Sequence, residues 1–423
     1  MAGPKRINLA LQGGGAHGAF TWGVLDRLLE CADIEIAGIS GTSAGALNGA
    51  ALKAGMVEGG REKARANLDW LWTEVGGIRD GAVNDWIVAT SPASAVWAKL
   101  LEASPVYKAF DMTSRMLSPY VFGEAIKNPL ERIVRHIRFE DVCCDAGPAL
   151  YIGATNVRSG KIKVFSGDQI SPEAIMASAC LPTLFQAIEI EDPATGRREA
   201  YWDGGYSGNP ALFPLFEPEL PDDVLVVNIN PLYREDLPDD VQSIQNRINE
   251  ISFNSSLLRE LRAIDFVQRL IAEGTVPKGA MKQVLVHMIA DDDLMNTLNV
   301  ATKTIPTPVI LSKLKTAGRD RADAFLDAHL GDVNKRSTVD LRAMFAQRRY
   351  QFHSKVRHEI SCQLLSLRRA CRLPATRPAT RPGLGSAASR RRPVRLVPVD
   401  RTGRHRPDPH RNPDHPGRAC DTR

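Results

Sequence analysis

The sequence lacks a long apolar run. A membrane-spanning helix needs roughly 18 or more consecutive apolar residues, and no stretch of this 423-residue chain reaches that length. The opening stretch MAGPKRINLALQGGG carries only a short apolar run, which leads directly into glycines. We therefore expect a buried first strand there and not a signal peptide.

The sequence is also poor in patterned cysteine. Its 7 cysteines include the adjacent pair Cys143 and Cys144 and show no metal-type spacing. We interpret them as reduced thiols of a cytoplasmic protein, which can bind peripherally at the inner face of a membrane. We expect no metal ion and no other cofactor.

The end of the chain lacks lysine, glutamate, aromatic residues and isoleucine. Residues 368–423 hold fifteen arginines and four aspartates, a net charge of +11, whereas the whole chain carries +5, so the remainder carries −6. No nucleic-acid partner is expected for that remainder. Residues 368–423 themselves have too little apolar surface to bury and are therefore expected to be disordered. Three interpretations of this tail stay open: a polybasic arm for an anionic lipid or nucleic acid, a solvated tail, or the out-of-frame end of a GC-rich gene.

What the chain does contain is an alternation of apolar strands and amphipathic helices. INLALQ (7–12) and EIAGIS (35–40) predict strands on either side of a helix at 19–30. This order is typical of a parallel sheet with right-handed crossovers. We expect an α/β protein with three layers, α/β/α, around a mainly parallel sheet. Further strands are predicted at 150–156, 161–166, 224–230 and 283–290. Further helices are predicted from the small residues after Gly45 to about Gly55, and at 172–178, 238–275 and 308–328.

A mostly helical, apolar insertion is predicted at about 60–140. Four of the six tryptophans lie there, at Trp70, Trp72, Trp86 and Trp97. Two interpretations remain open: aromatic core packing in a helical layer, or a cover over an apolar acyl-chain pocket. We assign the chain to one domain with this insertion (1–346), a helical extension (347–366) and a disordered tail (367–423).

Two glycine-rich loops follow the first two predicted strands. The first, Gly13 to Gly18, satisfies G-x-G-x-x-G, the fingerprint of a dinucleotide-binding loop. That fingerprint needs an acidic residue at the carboxyl end of the second strand to hold the ribose. Here that end holds Gly41-Thr42-Ser43, while Asp33 and Glu35 lie at the strand's beginning. A nucleotide cofactor is therefore disfavoured.

The second loop, Gly41-Thr42-Ser43-Ala44-Gly45, fits G-x-S-x-G, the tight turn that exposes a nucleophilic serine between a strand and a helix. Neighbouring parallel strands end at one edge of a sheet, so both loops should lie side by side. Backbone N–H groups of the Gly13-Gly14-Gly15 loop can then point at the carbonyl oxygen that Ser43 attacks. Such an oxyanion hole contributes about 10²–10³ in rate per donor.

A serine nucleophile needs a base, and Asp203 is the best candidate. It stands in YWDGGYSGNP, after an apolar stretch and before two glycines, so it can be held rigidly and approached closely. An Asx turn is the structural alternative. A histidine base is less favoured, because His287 lies in an apolar strand pattern typical of the core and His329 follows a helix as a C-terminal cap.

Together, GGGAHG, GTSAG and DGG in this order resemble the patatin-like phospholipase family, as do ASACLPTLF (177–185) and YWDGGYSGNPAL (201–212). The resemblance covers about 6–215 and is expected to extend to about 345. It implies a Ser43–Asp203 dyad without histidine or calcium, an oxyanion hole at Gly13, Gly14 and Gly15, and a lipid or fatty-acyl ester substrate. The supporting residues would be His17, Gly18, Gly41, Gly45, Gly204 and Gly205.

One position departs from the family pattern. The residue after Ala16 is usually Arg or Lys in the family, and His17 stands there. A neutral imidazole would support the loop less than a cation does, whereas a charged one would restore that support below its pKa. This predicts activity that depends on pH near neutrality, unless His17 only packs against or caps the loop.

The expected activity is that of a lipid acyl hydrolase, similar to a phospholipase A, which forms an acyl-enzyme and docks transiently at a lipid surface. Two alternatives stay open on the same fold. One is an esterase or thioesterase on other substrates, including a polyester depolymerase. The other is an acyl-binding protein without catalytic activity.

Overall fold

The alternating elements form one central sheet with helices around it. A computed structural model describes residues 3–77, 118–121, 128–193, 195–277 and 279–346, with isolated positions between 96 and 109. Its strands are β1 (Lys5–Leu11), β2 (Ile34–Thr42), β3 (Ala149–Asn156), β4 (Ile162–Ser166), β5 (Ile188–Asp192), β6 (Arg197–Asp203), β7 (Asp223–Asn228) and β8 (Leu285–Ala290). The helices of this part are α1 (Ala19–Glu30), α2 (Ala44–Gly76), α3 (Leu130–Val134), α4 (Phe139–Cys143), α5 (Pro172–Ser178), α6 (Val241–Ala272), α7 (Asp292–Asn296), α8 (Val300–Thr304), α9 (Pro308–His329) and α10 (Leu341–Phe345).

The sheet runs in the order β5-β6-β3-β2-β1-β7-β8, and β4 also pairs with β3. The five strands from β3 to β8 in this order are mutually parallel. The pairs β3–β4, β3–β6 and β5–β6 are antiparallel. The prediction of a mainly parallel sheet is therefore confirmed. The β5–β6 hairpin was not foreseen, and it brings the chain to Asp203 against the direction of β3.

Apolar side chains of the sheet point alternately to two faces, as the pleat requires. Leu9 and Leu11 of β1 belong to a buried cluster that includes residues of α1, α2 and α9. Ala10, between them, belongs to a second cluster with Leu257 of α6 and Leu341 of α10. Helices thus cover both faces, and the predicted three-layer α/β/α class is confirmed.

Helix α2 is longer than the pattern of small residues indicated. We expected it to end at about Gly55, but it continues to Gly76 with a kink at Gly59 and Gly60, where the backbone leaves helical angles. Most of the predicted insertion beyond residue 77, including Trp86 and Trp97, lies outside the described residues. So do the predicted helical extension (347–366) and disordered tail (367–423).

The two described tryptophans of the insertion differ in their surroundings. Trp72 is buried, its Nε1 donates to Asn48 Oδ1 at 2.9 Å, and its ring stacks 6.4 Å from that of Trp22. Core packing therefore describes Trp72. Trp70 lines an open cavity with Ile133 and His136. Among the helices that the structure describes, none has the length and apolar character that a membrane span requires.

Candidate active site

Ser43 lies at the turn between β2 and α2, in a conformation that side-chain-bearing residues rarely adopt. Its φ is 54° and its ψ is −120°, and such backbone strain is concentrated at functional sites. The turn closes only with glycine on both sides. A Cβ at Gly41 would lie 2.5 Å from the Gly45 carbonyl oxygen, and a Cβ at Gly45 would overlap the carbonyl of Leu11.

Strand β3 brings Asp203 to Ser43. Thr42 pairs with Gly153, and the next residue of β3, Ala154, pairs with Asp203 on the same edge, because β4 occupies the opposite edge. The two predicted residues therefore meet where β2 ends and β6 ends along one edge of β3, although 160 positions separate them along the chain. Their side chains lie close enough that the Ser43 hydroxyl lowers the pKa of the Asp203 carboxyl, and both residues are buried.

The environment makes Asp203 a stronger base than an ordinary aspartate. Burial raises the pKa of Asp203 to about 6, and the hydrogen bonds from Gly205 N–H and Ser43 oppose part of that rise. The Gly205 N–H lies 2.8 Å from Oδ1. A carboxylate with this pKa is ionised at neutral pH. Because its pKa lies close to neutral pH, it also accepts a proton effectively.

The turn after Asp203 needs the two predicted glycines. A Cβ at Gly204 would overlap the Gly153 carbonyl, and one at Gly205 would lie 3.0 Å from the Phe253 ring of α6. The N–H of Asp203 donates to the carbonyl of Cys180 at 2.8 Å. Burial and the nearby Asp203 charge raise the pKa of Cys180 to about 12, so this thiol stays protonated beside the site.

The first glycine loop lies directly against the serine. A Cβ at Gly13 would come within 2.6 Å of the Ser43 Cβ. The Gly13 N–H, however, donates to Asn209 Oδ1 at 2.6 Å. In the described part of the chain the N–H groups of Gly14 and Gly15 have no such partner. We expected all three glycines to form the oxyanion hole. The candidate donors are now the N–H groups of Gly14 and Gly15.

His17 does not behave as its ordinary pKa suggests. It is 1% exposed, and its Nε2 lies 2.9 Å from Thr302 Oγ1 in α8. Burial and then the charge of Lys303 lower the pKa of His17 well below 6.5. This shift favours a neutral imidazole at neutral pH and thus the alternative in which His17 packs against the loop, while a pH dependence through His17 stays a prediction. Gly18 follows it, packed against Ala44 and Trp72.

Ser178 is a residue that the sequence interpretation missed. Its hydroxyl accepts the N–H of Ser43 at 2.9 Å and donates to the Gly153 carbonyl at 2.6 Å. It therefore holds the nucleophile turn to β3. The signal was present, since Ser178 is the second residue of ASACLPTLF, but no local pattern showed what its hydroxyl would contact.

The histidines have other partners. His287 is fully buried, with Nε2 2.8 Å from Asp223 Oδ1 and Nδ1 3.1 Å from Thr338 Oγ1, and Asp223 begins β7 at the opposite end from the glycine loops. His329 contacts Asp332. Within the described ranges no histidine is hydrogen-bonded to Ser43, and no group of three or more His, Cys, Asp or Glu could hold a metal ion.

Residues 9–216 match the family model described as "Patatin-like phospholipase". This range contains the glycine loop, the Ser43 turn and Asp203. Over this range the chain is assigned to the patatin-like phospholipase family. Membership supports lipid hydrolase activity. No curated protein sequence matches the chain at a significant level.

Two solved structures are distantly similar to this chain. VipD from Legionella pneumophila is 17% identical, over 77% of this chain and 67% of that one, with a TM-score of 0.36. The heterodimeric ExoU-SpcU complex from the type III secretion system of Pseudomonas aeruginosa matches at 14% identity, over 76% of this chain and 53% of that one, with a TM-score of 0.25. TM-scores this low carry no information about the site.

Proposed function

We propose that this protein is a lipid acyl hydrolase, similar to a phospholipase A, that cleaves carboxylic esters through a Ser43–Asp203 dyad. The observation that carries the proposal is the proximity of Ser43, held at positive φ, to a buried carboxylate whose pKa is raised to about 6 and is influenced by the Ser43 hydroxyl. The glycine loop lies against Ser43 at Gly13, and within the described residues the N–H groups of Gly14 and Gly15 have no partner. A carboxylate is a weak base for serine, so the raised pKa and the desolvated site are what make it effective.

The reaction proceeds in two acyl transfers. Ser43 Oγ forms a bond to the ester carbonyl carbon while Asp203 accepts its proton, and the N–H groups of Gly14 and Gly15 stabilise the resulting oxyanion. The carbon–oxygen bond to the alcohol breaks as Asp203 returns the proton to the leaving oxygen. Asp203 then takes a proton from water, whose oxygen attacks the acyl-enzyme, and returns that proton to Ser43 Oγ as the bond to the acyl carbon breaks and the acid leaves.

The substrate is a lipid or fatty-acyl ester. We also propose that the protein reaches it by transient association with a lipid surface, from a cytoplasmic location at the inner membrane face. Esters other than phospholipids, acyl-thioesters and storage polyesters stay as alternatives, because the described residues around Ser43 do not distinguish among these acyl donors.

Ester hydrolysis by the full-length protein tests the proposal. Wild type, Ser43→Ala and Asp203→Asn are assayed in EDTA on p-nitrophenyl esters of increasing chain length and on mixed phospholipid vesicles. We expect kcat to fall by about 10⁴ or more for Ser43→Ala, as for loss of another serine nucleophile. For Asp203→Asn we expect a loss of about 10²–10⁴, the usual contribution of a general base.

The other outcomes select the alternatives. Turnover of p-nitrophenyl esters or thioesters without phospholipid hydrolysis would favour the non-phospholipid esterase. Full activity of Asp203→Asn beside an inactive Ser43→Ala would remove the dyad and restore a histidine base. A folded wild type that binds acyl chains without turning over any ester would favour the acyl-binding protein.

A further inference from the structure

The peptide that joins Gly13 to Gly14 is held from its carbonyl side by two buried carboxamides. Asn230 Nδ2 donates to the Gly13 carbonyl oxygen at 2.8 Å, and Asn209 Nδ2 donates to the same oxygen at 3.2 Å. Both asparagines are almost completely buried. A carbonyl that accepts two buried hydrogen bonds has little freedom to rotate.

Asn209 holds the loop at two points. Its Oδ1 accepts the Gly13 N–H at 2.6 Å while its Nδ2 donates to the Gly13 carbonyl. The backbone of Asn209 is fixed in turn, because its N–H donates to Ser256 Oγ at 3.0 Å and its carbonyl accepts from Gln12 Nε2 at 3.3 Å. The Asn209 amide therefore engages both the N–H and the carbonyl of one glycine.

Asn230 is positioned by charge as well as by hydrogen bonds. Its Oδ1 accepts from Lys303 Nζ at 3.4 Å, and Lys303 is paired with Glu250 at 3.3 Å. Burial would raise the pKa of Glu250, but hydrogen bonds and charges from Arg234 and Lys303 lower it to about 2, so its carboxylate stays ionised. Because the Lys303 ammonium donates to Asn230 Oδ1, the hydrogen bond from Asn230 Nδ2 to the glycine loop is strengthened.

The direction of this peptide decides where the Gly14 N–H points. In a trans peptide the carbonyl and the N–H lie in one plane and point in opposite directions. Because Asn209 and Asn230 occupy the carbonyl side, the Gly14 N–H faces away from them. Gly13 itself touches Ser43, and the Gly14 N–H has no protein partner within the described residues.

We propose that Asn209 and Asn230 are positioning residues, which fix the Gly13–Gly14 peptide so that the Gly14 N–H meets the oxygen of the ester that Ser43 attacks. This inference rests on the proposed function. It assigns part of the oxyanion hole's preorganisation to Asn230 and to Lys303 of α8, which lie beyond the matched range 9–216, whereas Asn209 lies within that range. A fixed donor contributes mainly in the transition state, so loss of the clamp should lower kcat and leave KM unchanged.

The test compares two buried asparagines of the full-length protein. Asn230→Leu removes the donor to Gly13 with a side chain of similar volume and no new charge. Asn8→Leu is the matched control, since Asn8 is 0% exposed in β1 and donates to the Pro221 carbonyl at 2.7 Å, far from the glycine loop. If Asn230→Leu does not fold, Asn230→Asp replaces it, because a carboxylate there keeps Lys303 as a partner.

For Asn230→Leu we expect kcat to fall about 10–100-fold, less than for complete loss of one oxyanion donor, with KM unchanged. A trifluoromethyl ketone, which forms a tetrahedral adduct with the serine, should lose affinity by the same factor, whereas a non-hydrolysable ether analogue of the substrate should not. Asn8→Leu should lower only the melting temperature. Thermal unfolding of every variant separates these effects.

Several results would overturn the inference. Equal kcat and equal trifluoromethyl ketone affinity in Asn230→Leu and wild type would show that the clamp does not position the donor. Equal losses of kcat in Asn230→Leu and Asn8→Leu would show a general effect of destabilisation. If the wild type is active, either of these two results overturns only the inference, and the proposed function stands. A folded wild type that hydrolyses no ester overturns the proposed function and the inference together.

Discussion

Asp203 and Asp223 are both 1% exposed, yet the fold gives them opposite acidities. Burial raises the pKa of Asp203 to about 6. Burial would also raise the pKa of Asp223, but hydrogen bonds from His287 and Asn334 lower it below its ordinary value. Equal exposure therefore accompanies one aspartate suited to accept a proton and one that stays ionised.

The difference lies in how deeply each carboxylate is surrounded by protein, which is more complete for Asp203, and in the number and kind of donors. Asp203 accepts from one backbone N–H, that of Gly205, and from the Ser43 hydroxyl. Asp223 accepts from the imidazole of His287 and from both the N–H and the Nδ2 of Asn334. Asp223–His287 has the composition of two thirds of a catalytic triad, but it lies at the amino end of β7, where it ties β7 to β8 and to the loop that contains Asn334.

The largest expected contrast is in turnover. Asp203→Asn should lower kcat by about 10²–10⁴ through loss of the general base. Asp223→Asn should keep the kcat of wild type, because no part of the proposed dyad touches it. Both variants are measured on one p-nitrophenyl ester, with activity expressed per folded molecule. A comparable loss in Asp223→Asn would mean that the Asp223–His287 pair takes part in the reaction.

The same two substitutions should have opposite effects on stability. The pKa of Asp203 rises from 3.8 unfolded to about 6 folded, so ionised Asp203 lowers the free energy of unfolding by about 3 kcal/mol above pH 6. Asp203→Asn should regain up to that amount at pH 7, and the gain should disappear as pH falls from 6 to about 4. Asp223→Asn should lose about 1–3 kcal/mol at pH 7 by weakening buried hydrogen bonds.

Urea unfolding of wild type, Asp203→Asn and Asp223→Asn at pH 7 and pH 4.5 measures these effects. A destabilised Asp203→Asn at pH 7 would show that the Asp203 carboxylate stabilises the fold, as that of Asp223 does. The contrast between the two aspartates would then lose its energetic basis.

The pH profile of activity should follow Asp203 and not His17. Because Asp203 must be ionised to accept a proton, kcat should rise about tenfold per pH unit up to its pKa of about 6 and level off above it. His17 is already neutral there, since burial and Lys303 lower its pKa. His17→Gln should therefore leave the midpoint in place. A midpoint that moves with His17→Gln would restore the histidine as the titrating group.

Local patterns predicted several elements and the two residues of the proposed dyad. The bounds of α1 and α5 were predicted to the residue, and the turn at Ser43 was predicted from the small residues around it. These features depend on neighbours along the chain, where periodicity and glycine spacing act directly. Asp203 was identified from its two following glycines, although the strand order that brings it to Ser43 was not foreseen.

The residues that set the electrostatics of the site could not be found in this way. His17 is buried by Thr302, and Gly13 is clamped by Asn209 and Asn230, each across about two hundred residues or more. The sequence around Asn230 resembles that of any ordinary strand end. The β5–β6 hairpin was missed although β5 (IEIED) alternates apolar and acidic residues, because the pattern is only five residues long and β6, which begins with two exposed arginines, has no such alternation.

The smallest predicted effect compares two serine hydroxyls that each accept a backbone N–H. Ser178 Oγ accepts from Ser43 at 2.9 Å, and Ser337 Oγ accepts from Val286, next to His287, at 3.0 Å. Each Ser→Ala change should cost about 1–2 kcal/mol of stability, since it leaves a backbone donor without its partner. Only Ser178→Ala should also lower kcat, by about tenfold, because a nucleophile displaced by a fraction of an ångström attacks less effectively. Equal kcat values for the two variants, at a temperature where both are folded, would show that the strained Ser43 turn holds its geometry without the Ser178 hydroxyl.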